Sequence, residues 1–111
     1  MNKLIEEYAR VAIQLGTATE EGDSEATNLA YDQLDELFRN IVAEGLRLEL
    51  LQLLDHRQPA VRSKTAFHTL AVSPERAEAV LAAVSKESGL VGFSAGMTLE
   101  EWRKGDLKPA S

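Results

Sequence analysis

Hydrophobic residues recur with a helical period through the first half of the chain. The first stripe has the spacing of one helix face and comprises Leu4, Ile5, Tyr8, Val11, Ala12 and Leu15. Gly16 does not necessarily end this helix, because residues 17–21 can continue it. Asp23 follows Gly22 and is a favourable N-cap. The pattern therefore predicts a second helix, with Ala30, Leu34, Leu37, Phe38 and Ile41 on one face and a stop at Gly45.

The second half of the chain has the same period in shorter segments. A leucine-rich helix is predicted over Leu46–Leu54, and Pro59 stands at the first position of a fourth helix. Ser73 and Pro74 predict the start of a fifth, which ends near Ser88-Gly89. Residues 90–97 are apolar but interrupted by glycine, which is consistent with either a helix or a packed turn.

The last predicted helix is short. Thr98 and Glu101 have the spacing of a capping box, in which the two side chains satisfy backbone amides at a helix start. Leu99 and Trp102 then share a face, and Gly105 ends the helix. We therefore expect Trp102 to pack onto the core.

The predicted fold is all-α, with five or six antiparallel helices. Strand-like alternation and hairpin signals do not occur. The helices form a single domain over residues 1–105, and residues 106–111 are predicted to be a flexible C-terminal tail. Short loops make sequential helices neighbours. Two architectures satisfy this: a closed bundle, or a right-handed stack of helix pairs.

Residues 53–66 favour the second architecture. A leucine-rich helix ends in a turn at Asp55, Pro59 opens the next helix, and Val61-Arg62 is followed by small residues. Val61 can pack between paired helices, and Arg62 and Asp55 can satisfy the turn or bridge to a neighbour. This stretch resembles the core of a HEAT-type repeat.

Together with residues 97–105, which include Thr98, Glu101 and Trp102, the same stretch resembles a small bacterial family, the domain of unknown function DUF2019. The resemblance covers nearly the whole chain. Gln58 departs from it, since an aspartate is expected before the proline. The resemblance implies a HEAT/ARM-like α-α superhelix, and it implies no catalytic mechanism.

Composition narrows the class of protein further. The chain has 111 residues and no cysteine, which excludes disulfides and thiolate chemistry. No apolar run is long enough for a membrane span. The N-terminus turns acidic too early for a signal peptide. We therefore expect a bacterial cytoplasmic protein.

Charge is distributed unevenly along the sequence. The net charge is −6, with about −8 in residues 1–56, and no Lys or Arg occurs between Val11 and Phe38. Such a field repels phosphate backbones and attracts basic surfaces. The candidate partner-binding residues, called the acidic face below, are Glu20, Glu21, Asp32, Asp35 and Glu36. A solvated face that only keeps the protein soluble is the alternative interpretation.

The sequence contains no recognisable catalytic or cofactor motif. His56 and His68 lack the spacing of zinc ligands, and His68 is expected to be a hydrogen-bonded structural or surface residue. Nucleophile motifs and phosphate-binding loops are missing. We therefore predict no catalytic residues, no metal and no cofactor.

The predicted function is that of a non-enzymatic, helical protein-interaction module, acting as a monomer or weak homodimer. It is expected to bind an unidentified, basic protein through the acidic face, and to bind neither nucleic acid nor membrane. One alternative is an immunity-like protein that neutralises a toxin. Another is a carboxylate-dependent enzyme acting on a nucleotide, which would need an inward-facing pair of acids.

Overall fold

Six α-helices and one short 3-10 helix make up the computed structural model, which describes residues 2–107. The elements are α1 (Lys3–Glu21), α2 (Ser24–Ala43), α3 (Arg47–Leu50), the 3-10 helix (Leu51–Asp55), α4 (Pro59–Thr69), α5 (Pro74–Ser85) and α6 (Leu90–Lys104). No strand occurs within these residues. The all-α prediction is confirmed. None of the helices in the described part of the chain is long and apolar enough to cross a membrane.

Several helix boundaries follow directly from the local sequence. Helix α1 continues through Gly16 to Glu21, as the pattern allows. The Asp23 carboxylate accepts a hydrogen bond of 3.0 Å from the Ala26 amide, so Asp23 is the predicted N-cap of α2. Gly105 ends α6 with a φ of 79°, a left-handed conformation that suits a residue without a Cβ.

The predicted start of α5 is confirmed: Pro74 is its first residue and Ser73 is its N-cap residue, although the Ser73 side chain makes no capping hydrogen bond. Two other local predictions are wrong. The helix expected over Leu46–Leu54 is a single α-helical turn followed by the 3-10 helix. Thr98 and Glu101 do not form a capping box, because α6 begins eight residues earlier, at Leu90. The Thr98 hydroxyl lies inside this helix and donates to the Ser94 carbonyl at 3.1 Å.

The interior consists of two hydrophobic clusters, which meet at α4. The first is built mainly from α1 and α2 and includes Ile5, Tyr8, Leu34, Ile41 and the α4 residue Val61. The second joins α4, α5 and α6 through Ala66, Leu70, Leu81, Val84 and Ala95. Trp102 is only partly buried, and it packs against the second cluster as expected.

The chain beyond α6 returns to this second cluster. Leu107 is partly buried against it. The remainder of the predicted tail, residues 108–111, lies outside the described residues. Helix α4 also contacts α1, so the first and last parts of the domain meet along it.

Candidate functional site

An open groove of about 380 Å³ lies where α1, α4 and α6 converge. The C-terminal half of α1 forms one wall. The turn before α4, the first residues of α4 and the corner between α5 and α6 form the other. The lining residues are Ile13, Gly16, Thr17, Glu20, Glu21, Gln58, Pro59, Ala60, Glu87, Ser88, Val91 and Gly92. Its volume is in the range typical of ligand pockets.

The floor of the groove depends on two close contacts made at glycines. A Cβ placed on Gly16 would lie closer than 3.0 Å to the Cβ of Ala60, so glycine allows α1 to contact α4 directly. A Cβ on Gly92 would collide with the Glu87 carbonyl. Ile13 and Val91 flank these contacts with apolar side chains. The floor is therefore mainly hydrophobic.

Glu20 ties the end of α1 to the start of α6. Its carboxylate accepts hydrogen bonds from the amides of Leu90, at 2.6 Å, and Val91, at 3.3 Å. These are unpaired first-turn amides, and Gly89, which precedes them, supplies no capping side chain. A carboxylate is also favoured there by the helix dipole. This residue of the acidic face thus makes a structural contact that its position in sequence did not indicate.

The remaining carboxylates of the groove stand at its rim. Glu21 is exposed at the end of α1, and Glu87 is exposed between α5 and α6. Glu87 accepts a hydrogen bond of 2.9 Å from Arg62 of α4. No Lys, Arg or His among the described residues lines the groove. The groove thus combines an acidic rim with an apolar floor.

The rest of the acidic face points in other directions. The Asp35 carboxylate lies 3.9 Å from Nε2 of His68, on the side of α2 that faces α4. Glu36 instead lines a shallow depression between α1 and α2, beside the ion-paired Glu7 and Arg10. Asp32 is exposed on α2. The five predicted residues are all exposed, but Glu36 and the pair Glu20 and Glu21 belong to two different concavities.

The motif residues around the α4 turn also separate in space. Arg62 bridges to Glu87, one of the two roles expected for it, while Asp55 lies exposed beside a depression shared by His56, Arg57 and Arg62. Lys64 lies elsewhere, with Nζ 2.6 Å from the Tyr31 hydroxyl and 4.3 Å from the centre of its ring. Arg57 and Arg62 therefore line one depression, and Lys64 does not belong to it.

His68 is a buried member of the core rather than part of a surface site. Its Nδ1 lies 2.6 Å from the Tyr8 hydroxyl, and its ring stacks on Phe38 with centroids 4.2 Å apart. Burial, together with the nearby charge of Lys64, lowers the pKa of His68 to about 3. Burial also raises the pKa of Tyr8.

The Tyr8–His68 pair is joined by one hydrogen bond inside the core. A neutral imidazole has one donor and one acceptor nitrogen, and the tautomer of His68 sets whether the Tyr8 hydroxyl donates to Nδ1 or accepts from it. The expectation of a hydrogen-bonded structural histidine is confirmed. The sequence indicates only that Tyr8 belongs to the apolar stripe of α1, because its hydrogen-bond partner is 60 positions away.

Most groove residues other than Glu20 and Glu21 carry no signal of their own in the sequence. Ile13, Gln58 and Glu87 come together only through tertiary packing. The one available hint is Gly16, since a glycine inside a continuous helix often marks a close approach of another element. No group of three or more His, Asp or Glu suited to a metal ion occurs in residues 2–107.

Comparison with known proteins identifies relatives without assigning an activity. The chain is similar to the crystal structure of protein RPA1889 from Rhodopseudomonas palustris, with 26% identity and a TM-score of 0.85. The alignment covers 96% of this chain and 91% of that one. No curated protein matches. The model of the domain of unknown function DUF2019 matches residues 2–102, and the chain therefore belongs to the DUF2019 family.

Proposed function

We propose that the protein is a non-enzymatic interaction module that binds a basic protein surface through the α1–α2 hairpin. One observation carries this proposal: Glu21, Asp32 and Glu36 are exposed, and none forms an ion pair within the described residues. Exposed, uncompensated carboxylates attract a positively charged partner and accelerate its association. Glu20 contributes to fold stability instead, through its bonds to α6.

The charge distribution favours a protein partner over a nucleic acid. Phosphate binding needs several converging cations, and Arg62 and Lys64 lie on different sides of α4, each with a partner of its own. The immunity-like function is a narrower form of the same proposal, in which the basic partner is a toxin. The carboxylate enzyme has less support, because Asp32, Asp35 and Glu36 are exposed. The groove carboxylates are exposed as well, and Glu20 is bonded to the α6 amides and Glu87 to Arg62.

We also propose a compact HEAT/ARM-like stack as the framework of this module. The two hydrophobic clusters that share α4 support it, since repeat units bury their faces against the next unit. The contact from Glu20 to α6 joins the first helix to the last, so the stack is closed rather than extended. The protein acts in the bacterial cytoplasm, as a monomer or weak homodimer.

A matched pair of charge variants tests the interaction. The first combines Glu21→Gln, Asp32→Asn, Asp35→Asn and Glu36→Gln, and leaves Glu20 in place to preserve its bonds to α6. The control combines Glu44→Gln, Glu49→Gln, Glu75→Gln and Glu101→Gln, which neutralises the same number of exposed acids elsewhere. Both variants and the parent serve as baits for affinity capture from the source organism, with mass spectrometry at low and moderate salt.

The expected result is one or more basic proteins captured by the parent and the control but lost with the first variant. The capture should weaken as salt rises. The free energy of unfolding of the first variant should stay level or rise slightly, because like charges have been removed. Equal capture by the two variants would show that the acidic face is only a solvated surface.

A further inference from the structure

We infer that the groove between α1, α4 and α6 binds a Lys- or Arg-anchored segment of the partner protein, with the aliphatic stem on the floor and the cationic head at the rim. This inference rests on the proposed function, since it assigns the basic partner's anchoring side chain to one place. It differs from a contact made only by charge, because the floor requires an apolar stem as well.

The floor accommodates the stem of a long side chain. Ile13 is 37% exposed although it is a large apolar residue, and it faces the groove together with Pro59 and Val91. Gly16 and Gly92 have no side chains, and the close approaches to Ala60 and to the Glu87 carbonyl leave backbone as part of the floor between these apolar residues. The methylene groups of Lys and Arg cover apolar surface in this way while their charged ends stay in water.

The rim supplies charge complementarity for the head of that side chain. Glu21 and Glu87 stand on opposite walls, and α1 ends at Glu21, where the helix dipole adds partial negative charge. The start of α4 opposes this with a partial positive charge, but no basic side chain of the described residues enters the groove. Glu87 is already paired with Arg62, whereas Glu21 has no ion-pair partner within the described residues, so a neutral or acidic segment would leave Glu21 without compensation.

The occupant is a protein segment rather than a metal ion. Both carboxylate oxygens of Glu20 accept hydrogen bonds from the Leu90 and Val91 amides, so Glu21 and Glu87 are the remaining carboxylates at the rim. Glu87 is also held by Arg62, which fixes the position of its carboxylate. Two separated carboxylates above an apolar floor suit a guanidinium or ammonium group at the end of a hydrocarbon stem.

Peptide titration of the full chain, labelled with ¹⁵N and followed by NMR, tests this assignment. The probe is the acetylated, amidated peptide Leu-Arg-Leu-Arg-Leu. One comparison peptide replaces both arginines by citrulline, which removes the charge and keeps the shape. The other is Gly-Arg-Gly-Arg-Gly, which keeps the charge and removes the neighbouring apolar side chains.

The expected result is saturable shifts for the amides of Ile13, Thr17 and Val91 with the first peptide. The citrulline peptide should bind about tenfold more weakly or worse, and Glu21→Gln should weaken the arginine peptide in the same direction. Thr17→Arg places a cationic stem in the groove from α1 itself, and this variant should block the peptide. Gln14→Arg adds the same charge to an exposed position of α1 outside the groove and should not block it.

Two results would overturn the inference and leave the proposed function standing. One is shifts of equal size with the glycine peptide, centred on Asp32, Asp35 and Glu36 and insensitive to Thr17→Arg. The other is the absence of any saturable shift at the groove up to about 5 mM peptide, a concentration that would reveal even a weak docking site. In that case the charge variants would still lose a captured partner. If the charge variants keep both the captured partner and the peptide binding, the proposed function itself is contradicted.

Discussion

Replacing Gly16 by alanine tests whether the contact between α1 and α4 is as close as the structure shows. In an isolated helix this change is favourable by about 1 kcal/mol, because alanine has the higher helix propensity. Here the added Cβ would lie closer than 3.0 Å to the Cβ of Ala60, whereas carbon atoms pack at about 3.5–4.0 Å. Ala60 has no side-chain torsion that could move its Cβ away, so the helices themselves must separate.

The expected magnitude follows from these opposing terms. Overpacking of a rigid contact costs about 2–3 kcal/mol, the upper part of the usual range. After subtraction of the propensity gain, Gly16→Ala should lower the free energy of unfolding by about 1–2 kcal/mol in urea denaturation. In the Ala60→Gly background the same change should be neutral or stabilising, because the opposing Cβ is gone.

The double-mutant cycle decides whether this reasoning is correct. We expect a coupling of about 2 kcal/mol between positions 16 and 60, well above the scatter of independent sites. Stabilisation by Gly16→Ala alone, or a coupling below about 0.5 kcal/mol, would show that the two helices are further apart at this point. The floor of the groove would then be wider than described.

Three further predictions concern Glu20, His68 and Trp102. Glu20→Ala should cost about 1 kcal/mol in urea denaturation, because it leaves the first amides of α6 without their acceptor, whereas Glu21→Ala should cost less than about 0.5 kcal/mol. Equal effects would contradict the capping role of Glu20. The pKa of His68 is lowered from 6.5 to about 3, so the unfolded chain binds the extra proton between these values and stability falls as pH decreases through this window. From pH 6.5 to pH 5 the contribution to the free energy of unfolding is up to about 2 kcal/mol. The parent should therefore lose more stability than His68→Gln over this range, and an imidazole NMR signal assigned to His68 that titrates near pH 6.5 would refute the prediction. Trp102→Ala should lower the free energy of unfolding in urea by about 2–3 kcal/mol, less than for a fully buried ring, because Trp102 is only partly covered by the second cluster. A loss under about 1 kcal/mol would instead favour a role of Trp102 as a partner anchor.

The groove between α1, α4 and α6 uses only part of the acidic face. Glu20 is bonded to the backbone of α6, and Glu36 lies beside Arg10 in a different depression. Glu21 is therefore the one residue of the acidic face that lines the groove and can bind a cationic group there. Glu87, which is distant in sequence, lines the same groove. Variants that neutralise all acids together would mix loss of binding with loss of the α1–α6 contact.

Local sequence determined the helices and most of their ends. The apolar stripes of α1 and α2 follow the helical period, and Asp23 and Gly105 mark boundaries by chemistry that acts within one turn. The same reasoning failed at Thr98, where the capping-box spacing occurs by coincidence inside a longer helix. Residues 90–97 were ambiguous because glycine weakens a helix in isolation, and packing against α5 restores it.

Tertiary structure alone decided which side chains share a site. Glu20 meets the amides of Leu90 and Val91 across 70 and 71 positions, and Tyr8 meets His68 across 60. No local pattern encodes such pairs, because they depend on how whole helices pack and not on the spacing within any one of them. The acidic charge of α1 and α2 was evident from composition, but only the packing of α4 and α6 against α1 sets Glu21 above an apolar floor and opposite Glu87.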